Sequence, residues 1–107
     1  MNYTYLANLA QDVRIPEKGI HSQTLYTDAH VNVVLFGFAA GEELSEHTAS
    51  MPAILHIIEG ECDLTLGEDA KTAQSGAWVH MQPNLPHSIK AKKPLIMLLI
   101  LIKSGKS

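Results

Sequence analysis

From Ile20 to Ile102 the chain alternates, at short and regular intervals, between runs of β-favouring residues and single turns, and this spacing leaves few folds open. The runs are Ile20–Thr27, Val31–Phe38, Leu44–Ala49, Ala53–Ile58, Glu61–Leu66, Lys71–Gln74, Ala77–Met81, His87–Ala91 and Leu95–Ile102. Turn-forming residues separate them: Asp28-Ala29, Gly41, Met51-Pro52, Glu59-Gly60, Gly67-Glu68-Asp69, Ser75-Gly76, Pro83-Asn84 and Lys93-Pro94. Many short strands at close spacing predict an all-β sandwich or barrel. Closing the sheet removes the open edges that invite aggregation. No repeat, linker or low-complexity tract breaks the series.

Ahead of the first strand, Leu6, Leu9, Ala10 and Val13 recur at helical spacing, with Thr4 available as a cap and Pro16 and Gly19 to end the element. Residues 1–18 are therefore read as a short helix or an extended arm, and 19–107 as one barrel domain. A chain of 107 residues favours a single domain, and 46% hydrophobic with 18% charged residues is an ordinary globular balance. A domain this small leaves much apolar surface in water, so pairing with a second copy is favoured.

Charge and cysteine usage exclude several classes. The net charge is -3, and no basic stripe suits nucleic acid; Lys90, Lys92 and Lys93 read as a solvated turn. Cys62 is the single cysteine, which rules out an intrachain disulfide and fits a reducing cytoplasm. The first residues have neither the basic nor the apolar region of a signal peptide. The longest apolar run, Leu95 to Ile102, falls far short of the ~18 residues of a membrane helix and reads as a strand buried on both faces.

Two stretches carry a family resemblance. In the first, Gly41 is followed by five residues and His47, and Gly60 closes the segment. In the second, Gly76 opens a segment that reaches His87 through Gln82, Pro83, Asn84 and Pro86. Both resemble the paired motifs of the cupin superfamily, and Gly41-Glu42-Glu43-Leu44-Ser45-Glu46-His47 with Glu59-Gly60-Glu61 resembles its small single-domain bacterial branch. The resemblance covers Gly19 to the end and implies a double-stranded β-helix, or jelly-roll barrel. It also implies a divalent transition metal held by three His and one Glu. Here Ala49 stands at the second His position and Ala53 at the Glu position, Gln82 replaces a Pro, Asn84 a Gly and Ala91 an Asn. Asn84 still tolerates left-handed backbone.

Only His47 and His87 thus match ligand positions, and two imidazoles without a carboxylate make a poor site for Fe, Mn, Ni, Cu or Zn. Strand alternation sends Glu46 to the face opposite His47, while Glu43 has the right parity but lies near a turn. Gln82 and Asn84 offer carbonyl oxygens beside His87. The alternative is that both histidines line the barrel mouth as polar anchors of a pocket that also includes Ala49, Ala53, Leu55, Ile57, Met81 and Gln82.

Along Ala53–Ile58, the inward ligand position of Ala53 puts Leu55 and Ile57 inside and Ile54, His56 and Ile58 outside. That outer apolar face is the expected homodimer interface. The side taken by His80 stays open, and His21 and His30 look solvated. Cys62 has no motif around it and reads as a buried, inert thiol. No nucleophile elbow or phosphate loop is present. Trp78, Met81, Leu85, Leu55, Ile57, Phe36 and Phe38 are core candidates. The favoured function is small-molecule binding in a largely apolar pocket anchored by the two histidines. The alternatives are a metal-dependent dioxygenase or isomerase with a two-His site, and a ligand-sensing interaction module.

Overall fold

In a computed structural model of the chain, which describes residues 2–103, the run-and-turn pattern becomes nine strands. They are β1 (Ile20–Thr27), β2 (Val31–Phe38), β3 (Glu43–His47), β4 (Ala53–Glu59), β5 (Glu61–Leu66), β6 (Asp69–Gln74), β7 (Trp78–Met81), β8 (His87–Ala91) and β9 (Leu95–Ile102). One antiparallel sheet has the order β1-β2-β9-β4-β7 and the other β3-β8-β5-β6. The chain crosses between them repeatedly, as a jelly roll requires.

Strand alternation builds the core. Leu55 and Ile57 of β4, Cys62 and Leu64 of β5, Met81 of β7, Ile89 and Ala91 of β8, and Leu95 and Met97 of β9 form one buried cluster between the sheets. Burying a large aliphatic side chain is worth about 1.5–3 kcal/mol, so this face sets each strand's register. Two of the turns need left-handed backbone. Gly67, at φ +63°, starts a two-residue hairpin that pairs Leu66 with Asp69, so β6 begins two residues earlier than its β-rich run. Gly60, at φ +106°, turns the chain from one sheet to the other, and any side chain there would meet the Pro94 carbonyl.

A second apolar layer lies outside the five-stranded sheet. Leu35, Ile96 and Leu98 are buried there beneath Leu9, Ala10, Val13 and Ile15 of the N-terminal segment. Gly37 lets that segment approach, because a Cβ on it would lie 2.9 Å from the Arg14 carbonyl oxygen. The Glu42 carboxylate accepts a 3.0 Å hydrogen bond from the Gly19 amide and fixes the segment's exit. The segment is an arm. Among the described residues its only helical turn is a 3-10 turn at Leu9–Gln11, capped not by Thr4 but by Asn8, whose Oδ1 accepts from the Ala10 amide at 3.1 Å. A helix this short does not repay its nucleation cost, and the apolar residues gain more by lying along the sheet.

Candidate functional site

The histidine pair depends on an irregularity in β3. Strands β3 and β8 pair Leu44 with Ile89 and then His47 with His87, so three residues of β3 span two of β8. This bulge resets the alternation. Leu44 and His47 share the side of buried His87, whereas Glu43 pairs with Lys90 and is exposed. The parity that linked Glu43 to His47 is therefore wrong: the extra residue between them moves Glu43 to the other face.

The two rings meet at a tilt, with centroids 4.2 Å apart and planes at 59°. His87 is 6% exposed, the one polar residue in the buried set, whereas His47 is open to solvent. His87 Nδ1 lies 2.9 Å from the Leu85 carbonyl oxygen and His47 Nδ1 2.8 Å from the Ser45 carbonyl oxygen. A carbonyl can only accept, so each Nδ1 carries the proton and donates. In the neutral rings this leaves the Nε2 lone pairs available.

Among the described residues no group of three or more His, Cys, Asp or Glu side chains is placed to hold a metal ion. Ala53 is 2% exposed and pairs with Met81 and Leu101, so apolar packing occupies the position of the expected carboxylate. Ala49 is half-buried past the end of β3, Gln82 is exposed, and Asn84 adopts φ +69° with its amide bonded to the Ala49 carbonyl at 2.7 Å. The left-handed position expected of Asn84 is present, and it joins the two motifs through the backbone. The donor set does not fit the three-His, one-Glu metal centre that the resemblance implies.

A separate cleft opens between the edge strands β6 and β7. Its volume is about 490 Å³, and Leu55, Ile57, Leu64, Leu66 and Val79 form its apolar walls, with Lys71 and Trp78 also in its lining. Leu55 and Ile57 belong to the expected pocket, while His47, Ala49, Ala53, Met81, Gln82 and His87 do not line this cleft. Leu66, which pairs with His87 on the neighbouring strand, connects the two regions.

The remaining candidates divide cleanly. Cys62 is fully buried, and that burial, helped by the charges of Asp63 and Glu61, pushes its thiol up to about 11, so it is a poor nucleophile. His80 pairs with Ile54 and is exposed on the outer face, which settles its side. Trp78 is not a core residue. It pairs with outward-facing His56 and is 61% exposed, because buried Met81 and half-buried Val79 fix the inward parity of β7. Lys92 and Lys93 both reach Glu61, at 3.4 and 3.6 Å, consistent with a solvated turn. No helix among the described residues is long and apolar enough to cross a membrane.

Two antiparallel sheets in jelly-roll order, with a histidine from each motif side by side, define a double-stranded β-helix barrel. The chain belongs to the cupin domain family, whose model matches residues 34–101. Solved structures agree on the fold. A conserved protein of unknown function from Streptococcus pyogenes is 23% identical with a TM-score of 0.86, over 99% of this chain and 93% of that one. A cupin superfamily protein from Desulfitobacterium hafniense is 26% identical with a TM-score of 0.83, over 88% and 86%. A cupin 2 conserved barrel domain protein from Leptotrichia buccalis is 28% identical with a TM-score of 0.83; the match covers 90% of this chain and 47% of that one. Comparison with curated proteins gives no match.

Proposed function

We propose that this cupin binds a small organic molecule at the barrel mouth, with His47 and His87 as its polar anchor. The carrying observation is the pair itself: two imidazoles 4.2 Å apart, each Nδ1 bonded to a main-chain carbonyl. With each Nδ1 committed to a carbonyl, the Nε2 edges are left to a ligand with neighbouring hydroxyl or amide groups. Half-buried Leu44, on the same side as His87, and half-buried Ala49 supply the adjoining apolar surface, and exposed Gln82 a rim amide. This division, apolar walls with few polar groups, is the usual composition of small-molecule sites.

The experiment is a thermal-shift screen of hydroxylated and amide-bearing compounds against the unaltered protein and His47→Ala. Binding raises the midpoint by mass action. Compounds whose shift disappears in His47→Ala support the reading; a screen in which every shift survives that substitution refutes it. Stoichiometric metal in protein purified without a tag or added metal would replace it with the metal-dependent enzyme.

We also propose that the chain forms a homodimer through the outer face of β4. Ile54 and His56 are only half-buried there, and Ile100, paired with Ile54, continues the apolar surface. Ile58 and Ile100 both pack against the layer that the arm covers, so the free part of the patch centres on Ile54 and His56. A second copy offers an identical, self-complementary face.

A further inference from the structure

Strand β6 contains a lysine where its alternation calls for an apolar residue. Ala73 is buried opposite Cys62, so Lys71, two residues away and opposite buried Leu64, has the inward parity. It is exposed because β6 is an edge strand, and its side chain stands in the lining of the cleft between β6 and β7. Lys71 is the only ionisable residue in that lining, and it forms no salt bridge among the described residues. Buried Leu55 and Ile57 and half-buried Val79 form the apolar part of the lining, and Trp78, whose side chain faces outward on β7, borders it.

We propose that this cleft is a second binding site, separate from the histidine pair, for an anionic amphiphile: a medium-chain or aromatic carboxylate. The apolar body would lie against half-buried Leu66 and Val79, over a floor of buried Leu55, Ile57 and Leu64, and the carboxylate would meet the Lys71 ammonium at the opening. A volume of about 490 Å³ lies in the range of small-molecule sites. The charge selects the sign of the head group. An unpaired ammonium beside a desolvated wall attracts a carboxylate more than a neutral alcohol and repels an amine. The apolar walls select chain length, since each methylene removed from water tightens binding by up to about fourfold.

Calorimetry measures occupancy; the emission of Trp78, the sole tryptophan of the chain, which borders the cleft with its ring facing outward, is a secondary signal. The test is titration with octanoate, decanoate, decanol and decylamine, below their micellar concentrations, of the unaltered protein, Lys71→Glu and His47→Ala. The expected result is saturable binding heat with decanoate tighter than octanoate, and no binding heat with any of the four overturns the proposal. Decanoate should also bind about fivefold tighter than decanol, the limit for a solvent-exposed ion pair. Lys71→Glu should reverse the order of decanoate and decylamine, and His47→Ala should leave it unchanged. An inward lysine on an edge strand also guards against edge-to-edge pairing. If Lys71→Glu leaves the order of ligands unaltered, the residue only guards the edge and the proposal fails. Decanoate binding lost in His47→Ala also overturns it, by placing the ligand at the barrel mouth. Unchanged binding there, with the mouth ligands of the thermal-shift screen lost, separates the two sites. Circular dichroism melts of both variants establish that the comparison is between folded proteins.

Discussion

Removing the two histidines one at a time should have very different costs, although their rings touch. His87 is 6% exposed and its ring fills space beside Leu66 and His47. Truncation to Ala removes a hydrogen bond to the Leu85 carbonyl worth about 0.5–1.5 kcal/mol. It also removes most of a buried ring, worth a further ~1.5–3 kcal/mol once the cavity is counted. His87→Ala should therefore lose about 2–4 kcal/mol. His47 is exposed, and its bond to the Ser45 carbonyl competes with water. His47→Ala should lose about 1 kcal/mol or less, mostly the ring contact. Urea unfolding followed by circular dichroism measures both. With a slope of about 1.5 kcal/mol per M, the His87→Ala midpoint falls by roughly 1–3 M and that of His47→Ala by well under 1 M. Domain stabilities of about 5–15 kcal/mol leave His47→Ala folded, which makes it the cleaner probe of ligand binding. Equal losses for the two variants, or a larger loss at His47, would refute the assignment of one ring to the interior and the other to the mouth.

Three further outcomes follow from specific contacts. Asp28 accepts hydrogen bonds from the Tyr26 hydroxyl at 2.6 Å and from the His30 and Val31 amides, which hold its carboxyl at about 2. A depressed carboxylate stabilises the fold above its unfolded value and loses that contribution as pH falls from about 4 towards 2. Asp28→Asn should therefore flatten acid unfolding in that window, and an unchanged acid limb would count against the Asp28 hydrogen bonds that close the link between β1 and β2. Cys62, with its thiol raised to about 11, should react with a disulfide reagent at pH 8 only as fast as the chain unfolds; rapid labelling of folded protein would contradict its burial. Light scattering coupled to size exclusion should find a dimer at tens of micromolar, and Ile54→Asp should dissociate it; a monomer, or a dimer indifferent to that change, would show the outer β4 face to be free.

Much of the barrel was legible because β-structure writes its period into the chain. The alternation in Ala53–Ile58 decided which residues face inward, and the structure buries Ala53, Leu55 and Ile57 as that period requires. Asn84 was legible for a local reason: few side chains tolerate left-handed backbone, and one that does sits at φ +69°. The Leu6–Val13 spacing misled because it also suits an arm laid along a sheet, and a helix count cannot see that Leu35, Ile96 and Leu98 need a cover. Trp78 misled for a similar reason. Size argued for the core, but the parity of an edge strand put it outside.

The order of strands and turns, the inward face of β4 and the two histidine positions depend on local period or on spacing within a motif, and a single strand's residues are enough to set them. Tertiary structure alone decided three things. The bulge between Leu44 and His47 exists only relative to β8, and it turned Glu43 away while bringing His47 onto His87. The commitment of both Nδ1 atoms depends on where the Ser45 and Leu85 carbonyls point. The cleft at Lys71 arises because β6 and β7, neighbours in sequence, end as edges of different sheets and leave space between them. All three depend on how two strands or sheets meet, and no periodicity within one strand encodes that meeting.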